Sequence, residues 1–230
     1  MKKAAMAARV GNRILSIMAG ILILLMLSYG MYSLWDTYKI YANSFADEEL
    51  LKFRPTDDGE DNPTLKDLKK LNPDVKAWIQ VPKTNIDYPV VQGQDDMEYI
   101  NKNVYGEFEL SGAIFLSCLN KDDFSDPYNL VYGHNMKNGS MFGTLDDYKS
   151  EKWQTEHPVI EFFVDGEVRE YEVFAAAESR VLYEDEEGFR YYRSGGDLSE
   201  EEYGKLITWL QENSDYETGI IPEYGEQILM

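Results

Sequence analysis

The stretch DPYNLVYGHNMKNGSMFG, residues 126–143, decides how this chain folds. Its apolar run at 130–132 predicts a short β-strand, and the loop that follows is rich in glycine, asparagine and serine. His134 stands where the strand meets the loop. A histidine in such a place can act as an acid or base near neutral pH, although histidines beside loops are more often structural or simply exposed. A catalytic histidine needs a group to activate, so its partner has to be sought elsewhere in the chain.

Short β-rich runs lie on both sides of this stretch. AWIQVP, IDYPVVQ and GAIFLS come before it, separated by proline, glycine, asparagine and aspartate. After it, PVIEFFVDGEVREYEVF predicts a hairpin around Asp165 and Gly166, a favoured two-residue turn. EQILM, residues 226–230, has the pattern of the opening of a further strand. Many short strands with few helices predict a mainly β fold, a closed or nearly closed β-barrel.

Two helices are predicted around these strands. Asn62 and Pro63 have the pattern of a cap followed by the first helical residue, with leucines following at three-residue spacing. Ser199 and Glu202 form the pattern of a capping box, and a helix with one apolar face follows it. That face consists of Tyr203, Leu206, Ile207 and Leu210.

The N-terminal region differs from the rest and gives the domain organisation. Residues 1–13 form a basic tail, and residues 14–35 carry no charge over a length that can cross a bilayer as a helix. The basic flank predicts a cytoplasmic N-terminus and an extracellular remainder. Residues 36–63 are predicted to be an acidic extracellular stalk, and 64–230 the folded domain. A cleaved signal peptide is the alternative to an uncleaved anchor, but its apolar core would be shorter.

The composition excludes several classes of function. The net charge of −20 argues against a nucleic-acid partner, because a phosphate backbone would be repelled. The single cysteine excludes an internal disulfide framework. Two distant histidines without a cysteine pair make a zinc site improbable, and NKDDFSD at 120–126 lacks the glycine and glutamate of a calcium loop. We therefore expect a solvated acidic loop there, with no metal and no cofactor.

Cys118 and His157 are weaker candidates for chemistry. Cys118 follows an apolar strand that is expected to run beside the His134 strand, but a free cysteine is most often a small buried hydrophobe. A nucleophilic cysteine needs a neighbour that lowers the pKa of its thiol. His157 precedes a proline at the start of a predicted strand, where a surface or capping role is expected.

Three segments together resemble a known family. LNPDVKAWIQVPKTNIDYPVVQGQDDMEYI, GAIFLS and NLVYGHNMKNGSMFG, in this order and spacing, resemble the class B sortases, which are membrane-anchored cysteine transpeptidases of Gram-positive bacteria. The resemblance covers about residues 64–230. It implies an eight-stranded sortase-type β-barrel with an N-terminal helix and peripheral helices. It also fits a single-pass protein of the cell membrane with an extracellular catalytic domain.

The resemblance implies an activity and a set of site residues. The family cleaves a sorting motif near the C-terminus of surface proteins, after a threonine, and holds the acyl group as a cysteine thioester. An amine of a peptidoglycan precursor or a pilin then accepts it, and no cofactor is needed. His134 matches the catalytic histidine, and Tyr132 and Ile100 match residues that line the substrate groove. Asp96 falls where relatives often carry asparagine.

The nucleophile does not match any residue of the chain. In the family the catalytic cysteine follows a lead-in that EQILM matches, and an arginine lies on the next strand. The resemblance therefore implies that both lie beyond Met230, that the last barrel strands are missing and that the chain as given is inactive. Two other hypotheses stay open. The chain is a non-catalytic surface module that keeps the groove, or it is a hydrolase that uses Cys118 as a relocated nucleophile.

Overall fold

The computed structural model describes residues 2–55, 63–164, 166–193 and 196–230, in two compact units, Met1–Ala42 and Asn43–Met230. The α-helices are α1 Lys2–Asn43, α2 Glu48–Leu51, α3 Pro63–Leu71, α4 Glu151–Glu156 and α5 Glu200–Asn213. Short 3-10 helices span Gly143–Lys149 and Tyr191–Arg193. The strands are β1 Val75–Gln80, β2 Asp87–Val91, β3 Ile114–Leu116, β4 Tyr128–Asn129, β5 Val131–Tyr132, β6 Val159–Val164, β7 Glu167–Glu172 and β8 Ile228–Leu229.

The first unit consists of the helix α1. Among the described residues this is the one helix that is long and apolar enough to cross a membrane, judged by length and composition. Its apolar side chains, such as Leu22 and Leu25, are exposed within the unit. The helix does not end at residue 35, where the sequence pattern changes, but continues to Asn43. The reason is that residues 36–43 contain no proline or glycine that would interrupt helical hydrogen bonding.

Residues 43–55 belong to the second unit, although the sequence pattern assigns them to an acidic stalk. Leu50, Leu51 and Phe53 pack against a buried apolar cluster, and Ser44 is 1% exposed. These few apolar residues stand among acidic ones, so the composition of the segment hides them. Residues 56–62, which include the predicted helix cap Asn62, lie outside the described residues.

A six-stranded sheet forms the centre of the second unit, in the order β5-β3-β2-β1-β6-β7. Neighbouring strands are antiparallel except β2 and β3, which are parallel. The predicted hairpin is confirmed as β6 and β7, which pair from Val159–Glu172 to Val164–Glu167. Gly166 in its turn has a φ of +84°, a conformation that glycine adopts without a steric penalty.

The inner strands β1, β2 and β3 are buried on both faces. Successive side chains of a strand point to opposite sides of the sheet, and here both sets are largely apolar. Ala77 and Ile79 of β1 lie in one core cluster, whereas Trp78 lies in the other. The helix α3 covers the second face with Leu65 and Leu68. The strands therefore appear in the sequence as continuous apolar runs rather than as alternating ones.

A third cluster joins α5 to a small second sheet, in which β4 and β8 pair in parallel. The predicted capping box of α5 is confirmed: Glu202 N donates to Ser199 Oγ at 3.4 Å, and Ser199 N donates to the Glu202 carboxylate at 3.0 Å. The predicted strand within residues 226–230 is confirmed as β8. The two sheets form a curled half-barrel with helices around it, so the prediction of a mainly β fold is confirmed.

Candidate functional site

His134 is presented by the turn that leaves β5. Gly133 permits this turn, because a Cβ atom at position 133 would lie 2.4 Å from Ile114 Cδ1 and 2.7 Å from Phe142 Cδ2. The loop closes on itself where Phe142 N donates to His134 O at 3.0 Å. The predicted strand, Gly133 and the loop thus place a half-buried imidazole at the edge of the six-stranded sheet.

The imidazole of His134 is held by a backbone carbonyl. Its Nε2 lies 2.8 Å from the carbonyl oxygen of Ile100. A carbonyl oxygen only accepts hydrogen bonds, so the ring nitrogen that faces it carries the hydrogen. In the neutral ring Nδ1 is then the nitrogen with a free lone pair. The geometry therefore leaves Nδ1 as the atom that can take up or deliver a proton.

Tyr132 and Ile100 come together next to His134. Both side chains pack at the margin of the core cluster that contains Phe115, and the rings of Tyr132 and Phe115 are 5.2 Å apart. Burial raises the pKa of Tyr132 to about 12, and the nearby Asp96 carboxylate adds to the effect. Tyr132 is consequently protonated near neutral pH and can donate a hydrogen bond, but it cannot act as a base there.

Asp96 lies close to the same place, and both of its carboxylate oxygens are occupied. Oδ1 accepts from the backbone N–H of Cys118 at 2.6 Å, and Oδ2 accepts from the hydroxyl of Ser117 at 3.1 Å. The carboxylate thereby fixes the chain where β3 ends. The structure thus brings His134, Tyr132, Ile100 and Asp96 into one region of the sheet edge.

Cys118 has the wrong environment for a nucleophile. Partial burial raises the pKa of its thiol, and both the hydrogen bond to Asp96 and the negative charge of that carboxylate raise it further. A nucleophilic cysteine requires the opposite, a cationic neighbour or a helix N-terminus. The side chain is exposed, contrary to the expectation of a buried hydrophobe. These observations argue against the hydrolase hypothesis.

His157 has the capping role that the sequence predicts. It ends α4, its Nδ1 lies 3.1 Å from the carbonyl oxygen of Trp153, and its ring stacks on Trp153 at 4.1 Å. By the same reasoning as for His134, its neutral ring carries the hydrogen on Nδ1. The two histidines are therefore expected to be opposite tautomers.

The expectation of a solvated acidic loop at 120–126 is correct for Asp122 and Asp123 but wrong for Asp126. Asp126 is 2% exposed and accepts hydrogen bonds from Asn120 Nδ2 at 3.1 Å and from Lys121 N at 2.8 Å. Burial opposes its ionisation, but these hydrogen bonds outweigh burial and lower the pKa of Asp126. In the part of the chain that the structure describes, no cluster of three or more potential metal ligands occurs.

The strand β8 runs beside the segment that leads to His134. Ile228 N donates to Pro127 O at 2.8 Å, Met230 N donates to Asn129 O at 2.9 Å, and Val131 N donates to Met230 O at 2.7 Å. Because β8 is parallel to β4, its carboxyl end points along the chain direction toward Tyr132 and His134.

Two contacts after β7 have no sequence signal. Arg180 binds the carboxylate of Glu186 through two nitrogens at 2.8 and 2.6 Å, which closes the loop after β7. Tyr191, which follows this loop, has its ring 5.1 Å from that of Trp209 on α5. Nothing in the spacing of these residues predicts that they meet, because Arg180 and Glu186 belong to one irregular loop and Tyr191 reaches α5 only in the tertiary fold.

A network of buried hydroxyls joins residues 43–46 to the His134 loop. Ser140 Oγ donates to Ser44 Oγ at 2.6 Å, and Tyr88 OH donates to Ser44 O at 3.1 Å. Tyr88 OH also accepts from Met141 N at 3.0 Å. The segment that follows α1 is thus fastened to the loop that carries His134.

The chain is similar in sequence to proteins of one family. No protein-family model matches it. Sortase B of Listeria monocytogenes is 37% identical over 121 residues, which are 53% of this chain and 49% of that protein. Sortase B of Staphylococcus aureus is 32% identical over 100 residues, 44% of this chain and 41% of that protein. The chain thus spans about half the length of the curated relatives it matches, or less.

Solved structures extend the similarity over more of the chain. Clostridium perfringens sortase B is 30% identical with a TM-score of 0.61, over 71% of this chain and 87% of that one. A Staphylococcus aureus sortase B–substrate complex has a TM-score of 0.66, over 73% of this chain and 74% of that one. Its 23% identity makes this a likeness of fold alone.

Proposed function

The chain belongs to the class B sortase family, and from this premise we propose that it supplies the substrate groove and the acid–base histidine of a membrane-anchored cysteine transpeptidase. The observation that carries the proposal is the fixed ring of His134, whose Nε2 is bound to Ile100 O at 2.8 Å. A fixed ring with one free nitrogen is what repeated proton transfer at one place requires.

His134 has two tasks in this proposal. When the substrate's peptide bond breaks, the doubly protonated ring delivers its Nδ1 proton to the departing amine and becomes neutral. When the accepting amine attacks the thioester, the same nitrogen takes a proton from it. Nε2 keeps its hydrogen throughout, because the Ile100 carbonyl accepts it in both states.

Tyr132, Ile100 and Asp96 are proposed to line the groove for the sorting motif. Tyr132 offers a protonated hydroxyl and an aromatic face that rests on Phe115. Ile100 offers a half-buried apolar side chain beside it. Asp96 differs, because its carboxylate already accepts two hydrogen bonds from residues 117 and 118. We therefore expect it to shape the groove rather than to bind a substrate group directly.

The single cysteine is not proposed as the nucleophile. The Asp96 carboxylate disfavours the thiolate of Cys118. Transfer through a thioester therefore requires another thiol. We propose that residues 1–230 by themselves bind sorting-motif peptides without forming the thioester. On their own these residues act as a non-catalytic binding module that keeps the sortase groove. The carboxyl end of β8 points toward His134. This orientation supports the proposal that His134 is the histidine of a sortase-type site.

The partners follow from the family and from α1. We propose that α1 anchors the protein in the cell membrane with the domain outside, since the helix meets the length and composition of a membrane span. Its substrates are surface proteins with a sorting motif, and the acceptor is an amine of a peptidoglycan precursor or a pilin. The net charge of −20 gives no basis for a nucleic-acid partner.

Peptide binding and intact-mass analysis test the proposal. The full chain in detergent micelles is mixed with fluorescent pentapeptides that carry threonine before the scissile bond, and with scrambled versions of them. We expect saturable binding of some ordered peptides, weaker binding after Tyr132→Ala, and no acyl adduct on the protein. Equal binding of ordered and scrambled peptides would contradict the proposed groove. An adduct that disappears in Cys118→Ala would restore the hydrolase hypothesis.

A further inference from the structure

The Ile100 carbonyl that binds His134 lies directly against a glycine. Ile100 belongs to a segment that turns back on itself, where Ala113 N donates to Tyr99 O at 3.1 Å. The residue before Ala113 is Gly112, which is buried and has a φ of +62°. Two consecutive carbonyl groups, those of Tyr99 and Ile100, therefore lie against one glycine.

There is no room for a side chain at position 112. A Cβ atom there would lie 2.4 Å from Ile100 O, 2.7 Å from Tyr99 O and 3.0 Å from the carbonyl carbon of Ile100. Ordinary contact begins at about 3.4 Å, so the Ile100 oxygen would have to move by about 1 Å. All three atoms belong to the backbone, so no flexible side chain can give way instead.

We propose that Gly112 is a positioning residue for His134, which lets the Ile100 carbonyl approach closely enough to fix the imidazole with Nδ1 free. The proposal rests on the proposed function, in which His134 transfers protons. Gly112 touches neither His134 nor the substrate in this account. Gly112 acts through the Ile100 oxygen, because the absence of a side chain at position 112 leaves room for that oxygen beside the His134 ring.

A displacement of about 1 Å is large for this contact. The Nε2–oxygen distance is 2.8 Å, and N–H···O hydrogen bonds in proteins have heavy-atom distances of about 2.7–3.2 Å. With alanine at position 112 the ring therefore either loses its acceptor or rotates to follow it. Loss of the acceptor removes the distinction between the two ring nitrogens that the carbonyl imposes, whereas rotation keeps the bond but turns Nδ1 in another direction.

Ring nitrogen NMR of the full chain tests this inference. The chain has two histidines, so ¹⁵N-histidine labelling in detergent micelles gives two rings to follow, and His134→Gln assigns them. We expect the neutral His134 ring to carry its hydrogen on Nε2, whereas His157, bonded through Nδ1, carries it on Nδ1. In Gly112→Ala we expect the Nε2 hydrogen of His134 to exchange with water at least tenfold faster, with the His157 signals unchanged.

Gly106→Ala is the matched control. Gly106 lies in the same segment with a φ of +81°, but nothing lies within 4 Å of the position of its Cβ. The substitution Gly106→Ala therefore introduces the same kind of backbone strain without a clash. We expect the His134 ring to keep its wild-type signals in this variant. Equal changes in both variants would show that strain, not the contact, matters and would overturn the inference.

Three other results would also overturn it. The first two are a wild-type His134 ring with the hydrogen on Nδ1 and an unchanged His134 ring in Gly112→Ala. The third is global unfolding of Gly112→Ala, seen by circular dichroism, because Gly112 would then have a role in the whole fold instead. The peptide-binding experiment is separate. If the NMR results are as expected and no ordered peptide binds, the positioning of the ring stands and the proposed function fails.

Discussion

Tyr88→Phe is expected to loosen the loop that carries His134, because one hydroxyl satisfies two buried backbone groups. Tyr88 is 4% exposed, and its OH donates to Ser44 O at 3.1 Å and accepts from Met141 N at 3.0 Å. Met141 has a φ of +51°, a strained conformation for a residue with a side chain. The bond from its N–H is thus one of the contacts that hold this strain.

The magnitude follows from the number of hydrogen bonds that the substitution removes. Each buried hydrogen bond that is lost costs about 1–3 kcal/mol, and at about 1.5 kcal/mol each the two bonds give about 3 kcal/mol. For a folded unit of 150–250 residues, 1 kcal/mol shifts Tm by roughly 2–4 °C. We therefore expect Tyr88→Phe to lower Tm by about 6–12 °C.

Tyr148→Phe is the matched control for this prediction. Tyr148 is equally buried at 3% exposed, but its hydroxyl makes one bond, to His157 O at 2.8 Å. Thermal unfolding of the full chain in micelles, followed by near-ultraviolet circular dichroism, compares the two. A decrease in Tyr88→Phe no larger than that in Tyr148→Phe would refute the reasoning that the Tyr88 hydroxyl connects residues 43–46 to the His134 loop.

Three further perturbations have expected outcomes. Leu68→Ala removes a side chain with no exposed surface and should cost about 2–5 kcal/mol in the free energy of unfolding; a cost below 1 kcal/mol would contradict the packing of α3. Asp96→Asn removes the negative charge that raises the pKa of the Cys118 thiol, so alkylation at neutral pH should accelerate, and an unchanged rate would refute that cause. The folded-state pKa of Asp126 is lowered, so its contribution is present above the unfolded value of about 3.9 and lost as pH falls through the folded pKa. Tm should therefore fall less between pH 5 and pH 2 in Asp126→Asn than in the wild type, and equal decreases would argue against this role.

The sequence predicts those parts of the fold that depend on local patterns. The β6–β7 hairpin follows from an aspartate–glycine turn between apolar runs, and α5 follows from its capping box and one apolar face. His134 is recognisable because a strand delivers it into a loop of small polar residues. Each of these signals lies within about 20 residues of sequence, which is the range over which periodicity and turn chemistry act.

The remaining features depend on contacts between distant parts of the chain. The carbonyl of Ile100 stands 34 residues before His134, and any residue type has a carbonyl, so no pattern marks it. Asp126 looks like one of several solvated aspartates, but the fold buries it. Ser44 lies in a segment whose acidic composition predicts a stalk, and its bond to Ser140 is visible only in three dimensions.

The most direct test of the account is whether a sorting-motif peptide reaches His134. The ¹⁵N-histidine-labelled chain in micelles is titrated with the ordered peptide that binds most tightly, and the ring signals of both histidines are followed. The account predicts saturable changes at the Nδ1 of His134, with an affinity equal to that from fluorescence. It predicts no change at His157, whose ring is bound to and stacked on Trp153. Saturable binding that leaves the His134 ring unchanged would contradict the claim that this histidine stands in the substrate groove.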